Sequence, residues 1–291
     1  MKKKNFADRP LKSFSPLPTY TVLLFHPFGV ISNFHTLYVI GRDFFLLQQL
    51  EKHHIIHIPI VSVDHPLDEK IPFTPEKIQI YLSFIRFWTR PMAMLSKRIG
   101  IFKAALIGKH WMVLFRNLYK FAAQVYRFRL TTTKRPDLKN LKDFRVIYRT
   151  DPHYMCVPSL HVATVALVYG FYRKFFCIED ITDEERKNWL TEIYADGLQI
   201  VETVLYVKQH SVNCISAALY MVTANYNDLF NEEDARLFIK ALFSNPQGFS
   251  AEDAREIRNY VMEAYDKYVE EGAKAQNWYD PVQEFLLTYE K

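Results

Sequence analysis

The sequence predicts an all-α protein, in which a membrane-embedded bundle of six helices is followed by a soluble helical tail. Six apolar stretches have helical length, and they are too long or too poor in glycine and proline to indicate strands. Hydrophobic residues make up 49% of the chain and aromatic residues 15%, with 23 Phe and 18 Tyr. Only 8 of the 291 residues are glycine, which argues against a glycine-rich nucleotide-binding fold.

Charge divides the chain into segments of different character. Residues 227–291 hold 14 Asp and Glu against 7 Lys and Arg, a net charge of −7, whereas the preceding residues carry +12. We therefore predict a basic N-terminal lead over 1–18, a helical domain over 19–226 and an acidic helical tail over 227–291 on the cytoplasmic side. A basic body suits an anionic membrane surface or a phosphate-bearing substrate. We find no nucleic-acid-binding motif and expect no nucleic-acid partner.

The first apolar segment, Thr19–Ile40, contains no Lys, Arg, Asp or Glu and is long enough to cross a bilayer. It also contains Pro27 and Gly29, which would interrupt a straight helix. We predict a bent membrane span here, and an amphipathic helix lying on the membrane surface is the alternative.

The next two apolar segments are Ile78–Leu95, with Arg86 and Arg90, and Trp111–Leu130, which also carries basic residues. Charges inside a membrane span usually face the bundle interior or an aqueous cavity, because their burial in lipid is costly. A soluble or peripheral helical bundle, with the arginines towards solvent, is the alternative. A mean hydropathy of −0.13 favours that alternative.

The fourth segment lies within an uncharged run over 152–172, and its helix should begin near Pro158 or Ser159, since proline is tolerated at the first helical position. A capping-box pattern from Thr182 to Glu185 predicts a short surface helix after it.

Two further apolar segments cover 193–206 and 209–227, and helical patterns in the tail cover 232–243 and 251–271. The last of these begins after Ser250, a residue suited to an N-cap.

Three short motifs lie at the apolar helix ends. They are Arg135-Pro136, then Pro158-Ser159-Leu160-His161, and finally Lys208-Gln209-His210-Ser211-Val212. In this order they resemble the motifs K-x6-R-P, P-S-x-H and S-R-x5-H-x3-D of the type 2 phosphatidic acid phosphatase superfamily, whose members include membrane lipid phosphatases and phosphotransferases. The resemblance is strongest over 64–216 and does not include the acidic tail.

The resemblance implies transfer of a phosphoryl group through a phosphohistidine. His210 would attack phosphorus, and His161 would protonate the leaving alcohol and later activate water or an acceptor alcohol. The residues that would bind phosphate oxygens are Ser159 and Arg135, with Lys208, Lys134 or Arg127 as partial substitutes for missing cations. No metal or cofactor is expected, and the three cysteines show neither a disulfide nor a zinc-site spacing.

The chain departs from the motifs at three positions, where Phe128, Val204 and Cys214 replace the family's lysine, arginine and aspartate. The cysteine matters most, because a thiol is a poor hydrogen-bond acceptor and would not orient His210 as a carboxylate does. Asn213 lies one residue out of register and is not expected to replace it. The alternative function is therefore a catalytically degenerate homologue that binds lipid phosphate or a protein partner.

The resemblance places the protein in a membrane, as an integral protein of the bacterial inner membrane with its site facing outward. If the N-terminus stays in the cytoplasm, three membrane crossings place residues 131–157 outside. The fifth crossing places His210 outside as well, so both lie on the same face of the membrane.

Ordinary structural roles are also open to the site residues: a helix cap or buried polar group for His161, a helix-end residue for His210, an N-cap for Ser159 and a solvated loop cation for Arg135. His153 lies close to the motif and is the one additional histidine that we single out.

Overall fold

The structure is a computed structural model that describes residues 6–27, 29–137 and 142–289, and it is predominantly helical. The predicted all-α class is confirmed at this level. Met1–Lys4 of the basic lead lies outside the described residues. The helices are α1 (Leu17–Phe25), α2 (Val30–Ile40), α3 (Leu47–Lys52), α4 (Leu67–Lys70), α5 (Ile78–Leu82), α6 (Phe84–Arg98), α7 (Ile101–Tyr126), α8 (Lys142–Thr150), α9 (Leu160–Phe175), α10 (Asp183–Tyr206), α11 (Asn213–Asn225), α12 (Glu232–Ala241), α13 (Ala251–Gly272) and α14 (Asp280–Thr288).

The part of the chain that the structure describes contains no helix that is both long and apolar enough to cross a bilayer. The six predicted membrane spans therefore have no support from the helices themselves. The first predicted segment, Thr19–Ile40, is interrupted, because α1 ends at Phe25 and α2 begins at Val30, with Pro27 and Gly29 between them.

Helix α9 lies at the centre of the fold and packs against α7, α10 and α11. It is buried on almost every side, which explains why its sequence is apolar around its whole circumference. Gly197 of α10 permits the close approach of α9, since a Cβ atom there would lie 2.7 Å from Cγ1 of Val165. Helix α9 therefore carries the P-S-x-H motif on a rigid support.

Helix α10 unites two elements that the sequence separates, a surface helix starting after Thr182 and the apolar segment 193–206. Nothing breaks the helix between them, and its first turn is fixed by the predicted capping box of Thr182 and Glu185. The carboxylate of Glu185 is buried, and it also accepts two hydrogen bonds from Arg98, at 2.8 and 3.0 Å. Helix α10 therefore begins at a buried ion pair.

Two short strands were not predicted. Strand β1 (Ile60–Ser62) pairs in parallel with β2 (Leu130–Thr132). Thr131 of β2 accepts hydrogen bonds through Oγ1 from the backbone amides of Cys156 and Val157, at 3.0 and 2.8 Å. This small sheet therefore anchors the segment that leads into α9.

The described part of the N-terminal lead packs against the fold. Leu11 and Phe14 are buried, and the carboxylate of Glu192 on α10 accepts hydrogen bonds from the amides of Leu11 and Lys12. Part of the predicted basic lead is therefore held against α10.

The acidic tail packs against α11, and one hydrophobic core extends through both. Tyr265 Oη donates to Thr223 Oγ1 at 3.1 Å, and Ser216 Oγ donates to the carbonyl oxygen of Val261 at 3.0 Å. The division at residue 227 remains a prediction from composition.

Candidate active site

The P-S-x-H motif forms the N-terminus of α9. Ser159 is the N-cap, as the sequence predicts, and its Oγ accepts a hydrogen bond from the amide of Val162 at 3.4 Å. The carbonyl oxygen of Pro158 accepts a hydrogen bond from Tyr126 Oη at 2.6 Å. These contacts fix both the start of the helix and the direction of the side chains in its first turn.

His210 lies in the loop between α10 and α11. Lys208 has a positive φ of 54°, which turns the chain out of α10, and the amide of His210 then bonds to the carbonyl oxygen of Val204 at 3.2 Å. This turn is why α11 begins at Asn213 and not at residue 209.

The two motif histidines and the motif serine meet in space. The ring centroids of His161 and His210 are 5.6 Å apart, with an angle of 67° between the ring planes. Nε2 of His210 lies 3.3 Å from Oγ of Ser159. The structure therefore brings together three of the six predicted site residues, from the start of α9 and from the loop before α11, with Ser159 and His210 separated by 51 positions in the sequence.

The two histidines line a cavity of about 160 Å³. Its other lining residues are Phe44, Tyr81, Phe84, Tyr119, Asp151, His153, Met155, Leu160 and Gln209. The ring of His161 packs against those of Tyr81 and Phe84, with centroid distances of 4.7 and 4.6 Å. An apolar cavity of about 150 Å³ can hold benzene, so this volume suits one small group, such as a headgroup, rather than an acyl chain.

Both imidazoles are neutral near pH 7. Burial lowers the pKa of His161 to about 4. Burial also lowers the pKa of His210 well below its ordinary value, and the positive charges that His161, His153 and Arg135 carry when protonated lower it further. A neutral imidazole can act as a nucleophile, but it cannot donate the proton that a general acid must supply.

We assign the tautomer of His210 from its contact with Ser159. The hydroxyl of Ser159 is taken as the donor to Nε2, with its oxygen accepting from the Val162 amide, and this assignment places the ring proton on Nδ1. Nδ1 is buried and makes no hydrogen bond among the described residues. Cys214 occupies the position of the family aspartate, and its Sγ accepts from the amide of Ser211 at 3.3 Å. Burial raises the pKa of the Cys214 thiol, so a neutral thiol stands where a carboxylate is expected.

Arg135 lies beside the histidine cavity, and its charge is already compensated. It donates to Oδ2 of Asp151 at 3.2 Å and to the carbonyl oxygen of the same residue at 3.4 Å. The other carboxylate oxygen of Asp151 accepts from the amide of His153 at 2.9 Å. Asp151 thus places an anion in the cavity wall, where the resemblance predicts a bound phosphate.

Lys208 and Lys134 do not line the histidine cavity. Nζ of Lys208 donates to the carbonyl oxygens of Asp68 and Ile71, and burial lowers its pKa. Both lysines, together with Arg135, line a separate cleft of about 550 Å³. The predicted phosphate-binding cations are therefore separated from the histidine pair, with Arg135 between the two cavities.

Two acid–base residues of the cavity extend the set predicted from sequence. His153, singled out for its position alone, has a positive φ of 69° and lies with Nε2 2.7 Å from Thr133 Oγ1. Asp151 was missed, although it stands directly before the Pro152-His153 pair that leads into the motif. Asn213 is not a substitute for the aspartate, because its amide nitrogen donates to the carbonyl oxygen of Val63 and to Tyr289 Oη.

Within residues 6–27, 29–137 and 142–289, no group of three or more His, Cys, Asp or Glu side chains is arranged to hold a metal ion. Comparison of the chain with protein-family models, curated proteins and solved structures found no match. The resemblance therefore rests on the three sequence motifs alone.

Proposed function

We propose that the histidine cavity transfers the phosphoryl group of a lipid phosphate through a phosphohistidine, as a phosphatase or phosphotransferase at a membrane surface. The observation that supports this most is the 5.6 Å separation of the His161 and His210 rings at the wall of one small cavity. At that separation one phosphate can contact both rings.

In the proposed reaction, Nε2 of His210 attacks phosphorus, and the bond from phosphorus to the alcohol oxygen breaks. The leaving alcohol takes a proton from His161, which must enter this step as the imidazolium even though burial favours its neutral form. Water, or an acceptor alcohol, then attacks phosphorus and gives its proton to His161, and the bond between phosphorus and Nε2 breaks. The product is inorganic phosphate or a new phosphate ester, and both histidines return to their starting states.

Phosphate oxygens would be held at the N-terminus of α9. The first amides of this 16-residue helix have no intrahelical partners, and the helix dipole favours an anion at this end. The hydroxyl of Ser159 becomes a further donor once the substrate displaces its hydrogen bond to Nε2 of His210. Arg135 can contribute only if its guanidinium is shared between the substrate and Asp151, and the Asp151 carboxylate opposes a dianion in the cavity.

The second candidate is a protein of the same design that binds lipid phosphate, or a protein partner, without turnover. Two observations favour it: Nδ1 of His210 is buried without a partner among the described residues, and Cys214, with a raised thiol pKa, stands at the sequence position of the family aspartate. Loss of the corresponding carboxylate from a serine-protease triad costs about 10⁴ in rate, because the histidine then lacks the correct tautomer and a partner for its charged form.

The test is phosphate release from phosphatidic acid in detergent micelles. Wild type is compared with His210→Ala, with Cys214→Asp and with His110→Ala, which removes an exposed histidine of α7. Release by wild type and His110→Ala that is lost in His210→Ala supports the enzyme. Release by Cys214→Asp alone supports the second candidate, because the site then lacks only its carboxylate. Equal phosphate release by His210→Ala and wild type would overturn the proposal that a phosphohistidine forms at His210.

The resemblance also implies an integral position in a bacterial inner membrane, with the site facing outward. Extraction of native membranes with alkaline carbonate tests this part separately. An integral protein stays with the membranes, whereas a peripheral one is released.

A further inference from the structure

Helix α2 and the π-helical turn Gly41–Leu46 that continues it expose most of their large apolar side chains and bury several polar ones. Six large apolar side chains on this segment are between 44% and 85% exposed: Ile31, Phe34, Leu37, Tyr38, Phe45 and Leu46, called here the apolar strip. Asn33, Thr36 and Asp43 face inward and are almost fully buried. A helix on the surface of a protein in water normally has the opposite arrangement.

Hydrogen bonds fix this orientation of the segment. Thr36 Oγ1 donates to the carbonyl oxygen of Met112 on α7 at 3.0 Å. The carboxylate of Asp43 accepts from Arg127 at the end of α7, and also from Arg42 at 2.6 and 2.7 Å. Rotating the segment to hide the apolar strip would leave these buried polar groups without partners, which is costly. The exposure of the strip is therefore set by its polar side.

The charge of the same surface favours an anionic partner. Asp43 is the only carboxylate between residues 30 and 46, and it is buried and paired. Among the exposed side chains of this stretch are His35 and the cation Arg42, whose side chain is 42% exposed. The chain before residue 227 carries a net charge of +12. Apolar and aromatic side chains beside an exposed arginine, with no exposed carboxylate in the stretch, suit insertion into anionic lipid.

The strip ends at the histidine cavity. Phe44 lines the cavity and Phe45 belongs to the strip, and their rings lie 5.1 Å apart. The strip extends roughly 20 Å along the helix from Ile31 to Phe45, at about 1.5 Å per residue. A bilayer seated on the strip would bring lipid headgroups to the side of the molecule on which the cavity lies.

We propose that the apolar strip docks this protein on the surface of an anionic lipid bilayer. This inference rests on the proposed function, because it states how a lipid phosphate would reach the histidines. Docking itself needs no catalysis, so it is measured with lipids that are not substrates of the proposed reaction.

The experiment is sedimentation of the full chain with vesicles of phosphatidylcholine and phosphatidylglycerol in equal parts. Phe34→Glu/Tyr38→Glu puts two carboxylates in the strip, and Leu237→Glu on α12 is the matched control, because Leu237 and Phe34 are both 53% exposed. We expect the double variant to bind at least roughly tenfold more weakly than wild type, since burying one such side chain is worth about 1.5–3 kcal/mol. The control should bind as wild type does, and thermal unfolding should show all three proteins folded.

Failure of wild type to sediment with these vesicles would overturn the proposal, and so would equal weakening of both variants. Sedimentation equilibrium without lipid tests the other occupant. If wild type is a dimer and Phe34→Glu/Tyr38→Glu is a monomer, the apolar strip binds a second copy of the chain, and docking on lipid is overturned. Vesicle binding without any phosphate release would leave docking intact and count against the proposed function alone.

Discussion

Ser159 Oγ lies 3.3 Å from Nε2 of His210 and joins the start of α9 to the loop before α11. The same oxygen accepts the amide of Val162 as the helix cap. One hydroxyl therefore stabilises a helix terminus and selects the tautomer of the proposed nucleophile, so its removal should have two measurable effects.

Replacing Ser159 with alanine should lower the free energy of unfolding by about 1–2 kcal/mol, through loss of the cap and of the contact with His210. Ser250→Ala is the matched control, because Ser250 caps α13 in the same way through the Asp253 amide at 3.0 Å and contacts no histidine. Urea denaturation gives the stability of each variant, and nitrogen chemical shifts of the imidazoles give the tautomer. We expect both caps to matter for stability, with only Ser159→Ala changing the shifts of His210. Unchanged shifts in Ser159→Ala would contradict the assigned tautomer.

Replacing Asp151 with asparagine should tighten the binding of inorganic phosphate or vanadate by roughly tenfold. The substitution removes an anion from the cavity wall and leaves Arg135 free to donate to the ligand, and a hydrogen bond to a charged group is worth about 1.5–3 kcal/mol. Asp228→Asn, which breaks an exposed pair with Lys174, should leave affinity unchanged. Isothermal titration calorimetry measures all three proteins. A gain that persists in Asp151→Asn/Arg135→Ala would show that Arg135 is not the group released.

Acid should destabilise the protein through His161. Its pKa falls from 6.5 to about 4 on folding because of burial, so between these values the unfolded chain binds more protons than the folded one. The stability contributed by the neutral ring is complete above pH 6.5 and is lost as the pH falls towards 4. The contribution to the free energy of unfolding that is lost in acid is on the order of 2 kcal/mol. This is less than the full pKa difference would give, because the ring is partly exposed at the cavity.

Urea unfolding at several pH values tests this with His161→Gln, which should flatten the dependence between pH 6.5 and 4. His110→Gln, at an exposed position, should keep the slope of wild type. Identical slopes in all three proteins would show that His161 does not titrate with a lowered pKa.

Helix boundaries with a local chemical cause could be predicted from the sequence. Ser159, Thr182 and Ser250 were each predicted as helix-start residues, and each accepts the hydrogen bond of an N-cap. The break near Pro27 and Gly29 has an equally local cause. These features depend on a few neighbouring residues, so a single sequence is sufficient to predict them.

The missed features depend on contacts between distant parts of the chain. Each strand of the small sheet has three residues, too few for a recognisable alternation, and they pair across about 70 positions. The sequence shows that Thr19–Ile40 carries no charge, but it does not show which side of the helix faces solvent. That side is decided by Thr36 and Asp43, through partners on α7. The approach of His161 to His210 was predicted only through the resemblance, whereas the pairing of Arg135 with Asp151 needed the structure.

The tail reaches the residue next to Cys214. Tyr260 of α13 and Tyr289 after α14 both hydrogen-bond to the side chain of Asn213, and Tyr289 also bonds to the carbonyl oxygen of Asp64. A shortened chain ending at residue 226 would therefore lose the two tyrosine hydrogen bonds that hold Asn213 after the histidine loop. Inactivity of such a fragment would say nothing about the chemistry of the intact protein.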